Sequence, residues 1–312
     1  MINQRSQLAL KVEATEGVAV VPAAADCILC EDLGFNPDVQ VHERNPMRST
    51  LSRPLAIVGR RAGEITGKTE VKGSGTKGTA PDISPLMKAL GCKETIVADT
   101  SVAYTPIDGD PNLQLSYTAQ MLRDGKVFSL AGARGTGKLI AELGNPLYVQ
   151  FGLKGAWTDL DDVAMFDDSA VYDAVNPVAF IDPATKFSWN GYEPLISRFE
   201  LDFGVKLGMR PDVNSATGVR SFRITGRDPK GSMDAEEEAK AVMDWFAAIM
   251  EQTEGLLTFA IGLQAGNIVT VSCPKTQLIG YSPADREGIT ATELALKFNM
   301  NAGNDEWSIT LT

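Results

Sequence analysis

The sequence predicts a mainly β protein built as two tandem β-sandwich or rolled-sheet domains, each with one flanking α-helix. Three observations predict it: period-two alternation recurs along the chain, short signatures recur at nearly one spacing, and each half carries one segment of helical periodicity. Gly34-Phe35-Asn36-Pro37 returns as Gly191-Tyr192-Glu193-Pro194, an offset of 157. Ile65-Thr66-Gly67 with Lys72-Gly73-Ser74 returns as Ile224-Thr225-Gly226 with Lys230-Gly231-Ser232, at offsets of 159 and 158. Two signatures so close in offset point to a duplicated unit.

Each half then follows one order: helix, hairpin, closing strand. The first helix is short, with Ser84 as N-cap, Pro85 where a missing N–H costs nothing, Leu86, Met87 and Leu90 on one face, and Gly91 as stop. The second should be longer. Asp234 caps it, Glu236, Glu237 and Glu238 complement its dipole, and Val242, Met243, Phe246, Ile249 and Met250 form its apolar stripe before Gly255.

Among the strands, Leu113, Leu115 and Tyr117 alternate with polar residues, Asp124-Gly125 makes a tight turn, and Val127, Ser129 and Ala131 return. The second half offers Leu256 to Leu263, a turn at Gly266-Asn267, and Ile268 to Cys273. Leu147 to Leu153 and Leu294 to Met300 close the halves, and Trp307, Ile309 and Leu311 alternate at the end. The first half carries a longer connection from Gly91 to Asn112. These boundaries divide the chain into a first β domain at 1–157, an acidic linker at 158–185 and a second β domain at 186–312. The linker holds seven aspartates and no basic residue, which suits a solvated flexible connector better than a calcium loop, whose ligand spacing it lacks.

The chain has 312 residues, with 29 basic and 40 acidic side chains and a net charge of −11. Its surface as a whole is therefore no footprint for the DNA backbone. No stretch approaches 18 consecutive apolar residues and the N-terminus lacks a signal-peptide pattern, so synthesis in the cytoplasm is expected. The single histidine, His42, leaves hydrolytic triads almost no way to form.

Three motifs invite chemistry and fail their own tests. Gly132-Ala133-Arg134-Gly135-Thr136-Gly137-Lys138 nearly spells a phosphate-binding loop, but Leu139 stands where Ser or Thr must hold magnesium, and the segment joins two strands. Cys27 and Cys30 have the spacing of half a zinc site, and no second pair follows, so small buried side chains are the better reading. Carboxylate pairs for glycoside hydrolysis cannot be chosen among 40 candidates. No catalytic residue, metal ligand or cofactor is assigned.

One segment asks for a function. Asp38 to Ala62 is a 25-residue stretch of little periodicity in which Arg44, Arg48, Arg53, Arg60 and Arg61 are interleaved with prolines and aliphatic residues. In an acidic protein this reads as an arm laid on an acidic neighbour, which a second copy of the chain would supply. The matching excursion, Phe203 to Val219, carries Arg210. These six arginines are the candidate contacts between copies of the chain.

The order strand, Gly-aromatic-x-Pro, arm with Glu43-Arg44 and Arg53-Pro54, Glu64-Ile65-Thr66-Gly67, then Lys72-Gly73-Ser74-Gly75-Thr76 before Ala80-Pro81 and a helix ending Leu90-Gly91 resembles the tail tube proteins of long-tailed, non-contractile phages. Glu16-Gly17-Val18-Ala19 with Pro22 fits as well. The resemblance implies a virion protein whose rings stack into a hollow tube for DNA, with no enzymatic activity and no cofactor. Its implied partners are further copies of itself, a tape-measure protein, tail tip and terminator proteins, and double-stranded DNA in transit. Two domains per chain imply a trimer with pseudo-sixfold symmetry. The alternatives are a tube component of a contractile tail or secretion apparatus and a soluble two-domain glycan-binding β-sandwich.

Overall fold

A computed structural model describes residues 4–107, 109–110, 113–166 and 172–312, with Asp159 described by its backbone alone. The first half contains β1 (Ser6–Val12), β2 (Cys27–Ile28), β3 (Glu31–His42), β4 (Ile57–Glu70), α1 (Ser84–Ala89), β5 (Cys92–Val97), β6 (Ser101–Pro106), β7 (Tyr117–Arg123), β8 (Lys126–Glu142) and β9 (Tyr148–Asp162). The second contains β10 (Thr185–Trp189), β11 (Ile196–Asp202), β12 (Val205–Pro211), β13 (Val219–Arg227), β14 (Lys230–Glu236), α2 (Trp245–Met250), β15 (Glu254–Ile261), β16 (Val269–Arg286), β17 (Ile289–Asn299) and β18 (Ser308–Leu311). The protein is mainly β, as the alternation predicts, and the named pairings are antiparallel.

Strand order repeats between the halves. In the first, pairing runs β1–β7–β8–β9–β4–β3. In the second it runs β10–β15–β16–β17–β14–β11. The register gives a different spacing from the sequence echoes: β4 ends at Glu70 and β14 at Glu236, and 236 − 70 = 166. On the same offset Phe35, opposite Ile65, matches Leu201, opposite Gly231. The irregularity in β3 between Glu31 and Gly34 recurs in β11 between Ile196 and Phe199. The short echoes at 157–159 therefore pair residues in unlike places: Gly34 to Pro37 lie within β3, whereas Gly191 has φ +80 in a turn after β10. Turn glycines and strand glycines look alike in sequence, which explains the misalignment.

The halves are joined edge to edge. Beyond the end of β7, β8 continues and takes β11 as its neighbour, from Arg198↔Glu142 to Asp202↔Lys138. On the far side β18 pairs with β6. The hairpin β5–β6 occupies the longer connection foreseen after Gly91 and has no counterpart after α2, where β15 begins at Glu254. One apolar cluster runs through both halves, from Leu8 and Leu10 through Leu90, Leu139 and Phe199 to Trp307 and Leu311. Glycine lets the end of α1 pack closely on β8: a Cβ on Gly135 or Gly137 would lie 2.8 Å from a methyl of Leu90.

Several elements differ from the sequence reading. Asp234 does not cap a helix; it lies in β14, where it accepts from the Ser197 N–H at 2.8 Å and pairs with Arg286 at 2.7 Å. α2 starts ten residues later, capped by Asp244, which accepts from the Ala247 N–H at 2.9 Å. Its buried residues are Trp245 and Ala248, while Val242, Phe246 and Met250 from the expected stripe are exposed. Sheet pairing outcompeted helix propensity over Asp234 to Glu236 because it satisfies backbone groups on both sides. α1 begins at Ser84 with Ile83 as its cap residue, since the Ser84 hydroxyl donates to Glu94 instead. The strand expected from Leu113 starts at Tyr117, so Leu113 and Leu115 precede it.

The acidic connector is not free. Its first five residues finish β9, and Phe180 and Ala179 bridge to Leu143 and Pro146. Lys72 Nζ donates to the Asp173 carbonyl at 2.7 Å, and Asn267 donates to the Asn176 carbonyl at 2.9 Å. Asp167 and Asp168 lie outside the described residues.

Candidate assembly surface

The arm is a hairpin. Asp38 to His42 pair with Ala62 to Ile57, leaving only 43–56 as a loop. Asp38-Val39-Gln40-Val41-His42 alternates as a strand should, a signal the arginine-rich loop obscures. At its tip, Met47 and Leu51 are fully exposed, as are most residues around them. Arg44 and Arg48 stand in this exposed loop, and Arg53 pairs with Glu43 at 3.3 Å within it. Pairs between groups this exposed contribute little stability, which leaves the loop's charges available to a neighbour.

The other three arginines meet partners within the chain. Arg60 pairs with Asp38 at 3.1 Å and lies 3.3 Å from the Met209 sulfur. Arg61 donates to the Ala216 carbonyl at 3.4 Å, and its backbone N–H donates to the Thr217 carbonyl at 2.8 Å. Both sit where hairpin β12–β13 packs on the arm's base, around Ala62, Ala156, Val219 and Phe222. Arg210 is drawn to Glu16 at 2.6 Å.

Glu16 is the residue that sequence reasoning missed as a partner. It also holds Arg134 at 3.0 Å and Arg223 at 2.8 Å, and accepts from the Ser221 hydroxyl at 2.9 Å. Burial by itself would raise this carboxyl; the hydrogen bonds from Arg223 and Ser221 and the charge of Arg134 outweigh it and hold the group well below the usual carboxylate range. Burial in turn pulls Arg134 down, partly offset by Glu16. Arg134, 2% exposed, also donates to the carbonyls of Phe222 and Gln114. The cluster fastens β12–β13 to the first half. Only the register of distant strands brings these residues together, so no local spacing announces it.

The chemical motifs take structural places. Gly132 to Lys138 lie inside β8, where Gly132 has φ +60 at a bulge and donates its N–H to Glu13 at 2.7 Å. Lys138 pairs with Glu200 across the joint to β11. Burial pushes the Cys27 thiol up to about 11 and moves Cys30, Cys92 and Cys273 in the same direction, away from thiolate chemistry. Among the described residues no group of His, Cys, Asp or Glu is placed to hold a metal, and no helix is long and apolar enough to cross a membrane. The aromatic gathering of Phe187, Phe199 and Phe259 is part of the core.

The described residues thus form two β halves joined strand to strand, with an exposed loop at 43–56. The family model described as phage tail tube protein matches residues 3–302, nearly the whole chain, and the chain belongs to that family. It is thus a structural component of the virion tail. Compared with curated proteins, the chain matches none.

Proposed function

We propose that this chain assembles into rings that stack into the hollow tube of a non-contractile phage tail, through which DNA passes. The observation that carries this is the strand order repeated in both halves, with the halves already joined edge to edge as neighbours in a ring would be. The divisions at 1–157, 158–185 and 186–312 are then two tube domains and their connector, derived from one duplicated unit. Three such chains place six similar domains around a ring. Strand pairing between subunits removes open sheet edges, and head-to-tail stacking, which does not close, yields a filament.

The loop at 43–56 is suited to reach the next ring, where Arg44, Arg48 and Arg53 would meet acidic groups. Three chains carry 3 × −11 = −33, and acidic groups lining the channel repel DNA in transit rather than bind it. At physiological salt that field decays over about 8 Å, so only side chains at the channel wall act. The tape-measure protein, tip and terminator proteins are the expected partners in assembly.

Electron microscopy of the purified protein at high concentration tests this. Uniform rings or tubes are the expected result; a monomer that never polymerises overturns the proposal.

A further inference from the structure

We infer that the joint inside the chain is repeated between chains: β3 and the arm of one copy dock on the far half of β16 and on α2 of the next. This rests on the ring reading and specifies which surfaces meet. In the internal joint, β11 pairs with β8 beyond β7. By register β3 is the counterpart of β11, and among the described residues its pairing is with β4 on one side. The counterpart of Lys138–Glu142 is Ser282–Arg286, since Lys138 faces Gln150 as Ser282 faces Glu293, at the same step of the two ladders. That part of β16 runs beyond β15 as β8 runs beyond β7, and it is mostly exposed. Each chain therefore contains one completed joint and the two complementary halves of another.

Transposing the register makes the match specific. Arg198 opposite Glu142, an ion pair at 3.4 Å, becomes Asp32 opposite Arg286, opposite charges again, which within one chain are held by Lys68 at 3.1 Å and Asp234 at 2.7 Å. Glu200 opposite Ile140 becomes Gly34 opposite Ala284, and Asp202 opposite Lys138 becomes Asn36 opposite Ser282. Pro37 and Pro283 lack N–H donors that Phe203 and Leu139 possess, so the joint between chains has fewer hydrogen bonds. Proline on an edge also discourages indiscriminate pairing, which leaves selection to the side chains.

The arm supplies those. The segments 38–62 and 204–228 have equal length on the 166 offset, and Arg44 falls on Arg210. Val39 and Val58 fall on Val205 and Ile224, whose methyls lie against Gly91 just after α1. The residue two past α2 is Gln252, which shares the left-handed backbone of Gly91, with φ +57 against +82. Nearby on α2, Phe246 and Met250 are 59% and 82% exposed, and Val58 is 59% exposed. These apolar groups are exposed in one chain and covered when the joint repeats.

The double variant Asn36→Cys/Ser282→Cys tests the register, because both side chains are exposed and the transposed ladder sets them directly opposite. Assembled protein treated with a mild oxidant should give covalently linked chains on non-reducing gels, with neither single variant doing so. Rings or tubes of the double variant that remain single chains overturn the inference while the tube reading stands. An unsubstituted chain that forms no rings at all overturns both.

Discussion

At the scale of single residues, the sharpest feature is Glu16. Its carboxylate is shared by three guanidinium groups, one of them on buried Arg134, so removing it strands a positive charge inside the protein. Glu16→Ala should lower unfolding stability by roughly 3–5 kcal/mol, read from urea denaturation of the unassembled protein. The sign of the pH dependence follows from the lowered value. A carboxyl bound more acidic in the folded state contributes its full stabilisation above the unfolded value near 4.5 and loses it as pH falls through the folded one. Wild type should therefore lose stability progressively below about pH 4.5, and Glu16→Gln should show a weaker dependence there. A variant with the same acid profile as wild type would contradict this.

At the scale of elements, the helices and the arm respond to different tests. α2 is six residues long, so its stability comes from its cap and its packing rather than its own propensity. Asp244→Ala should remove the cap bond to the Ala247 N–H and lower the unfolding midpoint, measured by thermal or urea unfolding. Trp245, 3% exposed, packs against Trp189 with ring centres 6.0 Å apart, and Trp245→Ala should cost about 3–5 kcal/mol. The arm behaves oppositely. Arg44, Arg48 and Arg53 lie in an exposed loop, so changing all three to glutamate should leave the circular dichroism spectrum and melting temperature unchanged while ring stacking weakens. Sedimentation of polymers against free rings would read the difference; unchanged polymerisation would remove the loop's assigned role.

For the whole molecule, the central matter is that the halves form one sheet and one core, not two beads on a string. β11 pairs with β8 and β18 with β6, so each half completes the other. Cutting the chain at the connector should therefore yield fragments that aggregate or bind one another, which co-expression and light scattering would detect. If rings contain three chains of 33.4 kDa, an isolated ring should weigh about 100 kDa, and one of six chains twice that.

Much of this was legible from residue order alone. Alternation in Val127 to Ala131 and from Leu294 onward determined strands and Asp124-Gly125 determined a hairpin, because side-chain period and turn chemistry are local properties. The family resemblance rested on motifs of the same local kind and extends to residues 3–302. Tertiary structure alone decided the rest. It placed Asp234 in a strand, folded the arm into a hairpin, pinned the connector, and aligned the halves at 166 rather than 157–159, because each outcome depends on pairing between segments far apart in the chain. Glu16 reached Arg223, 207 residues away, for the same reason: strand register is a property of partners, and a partner is not written beside the residue it will meet.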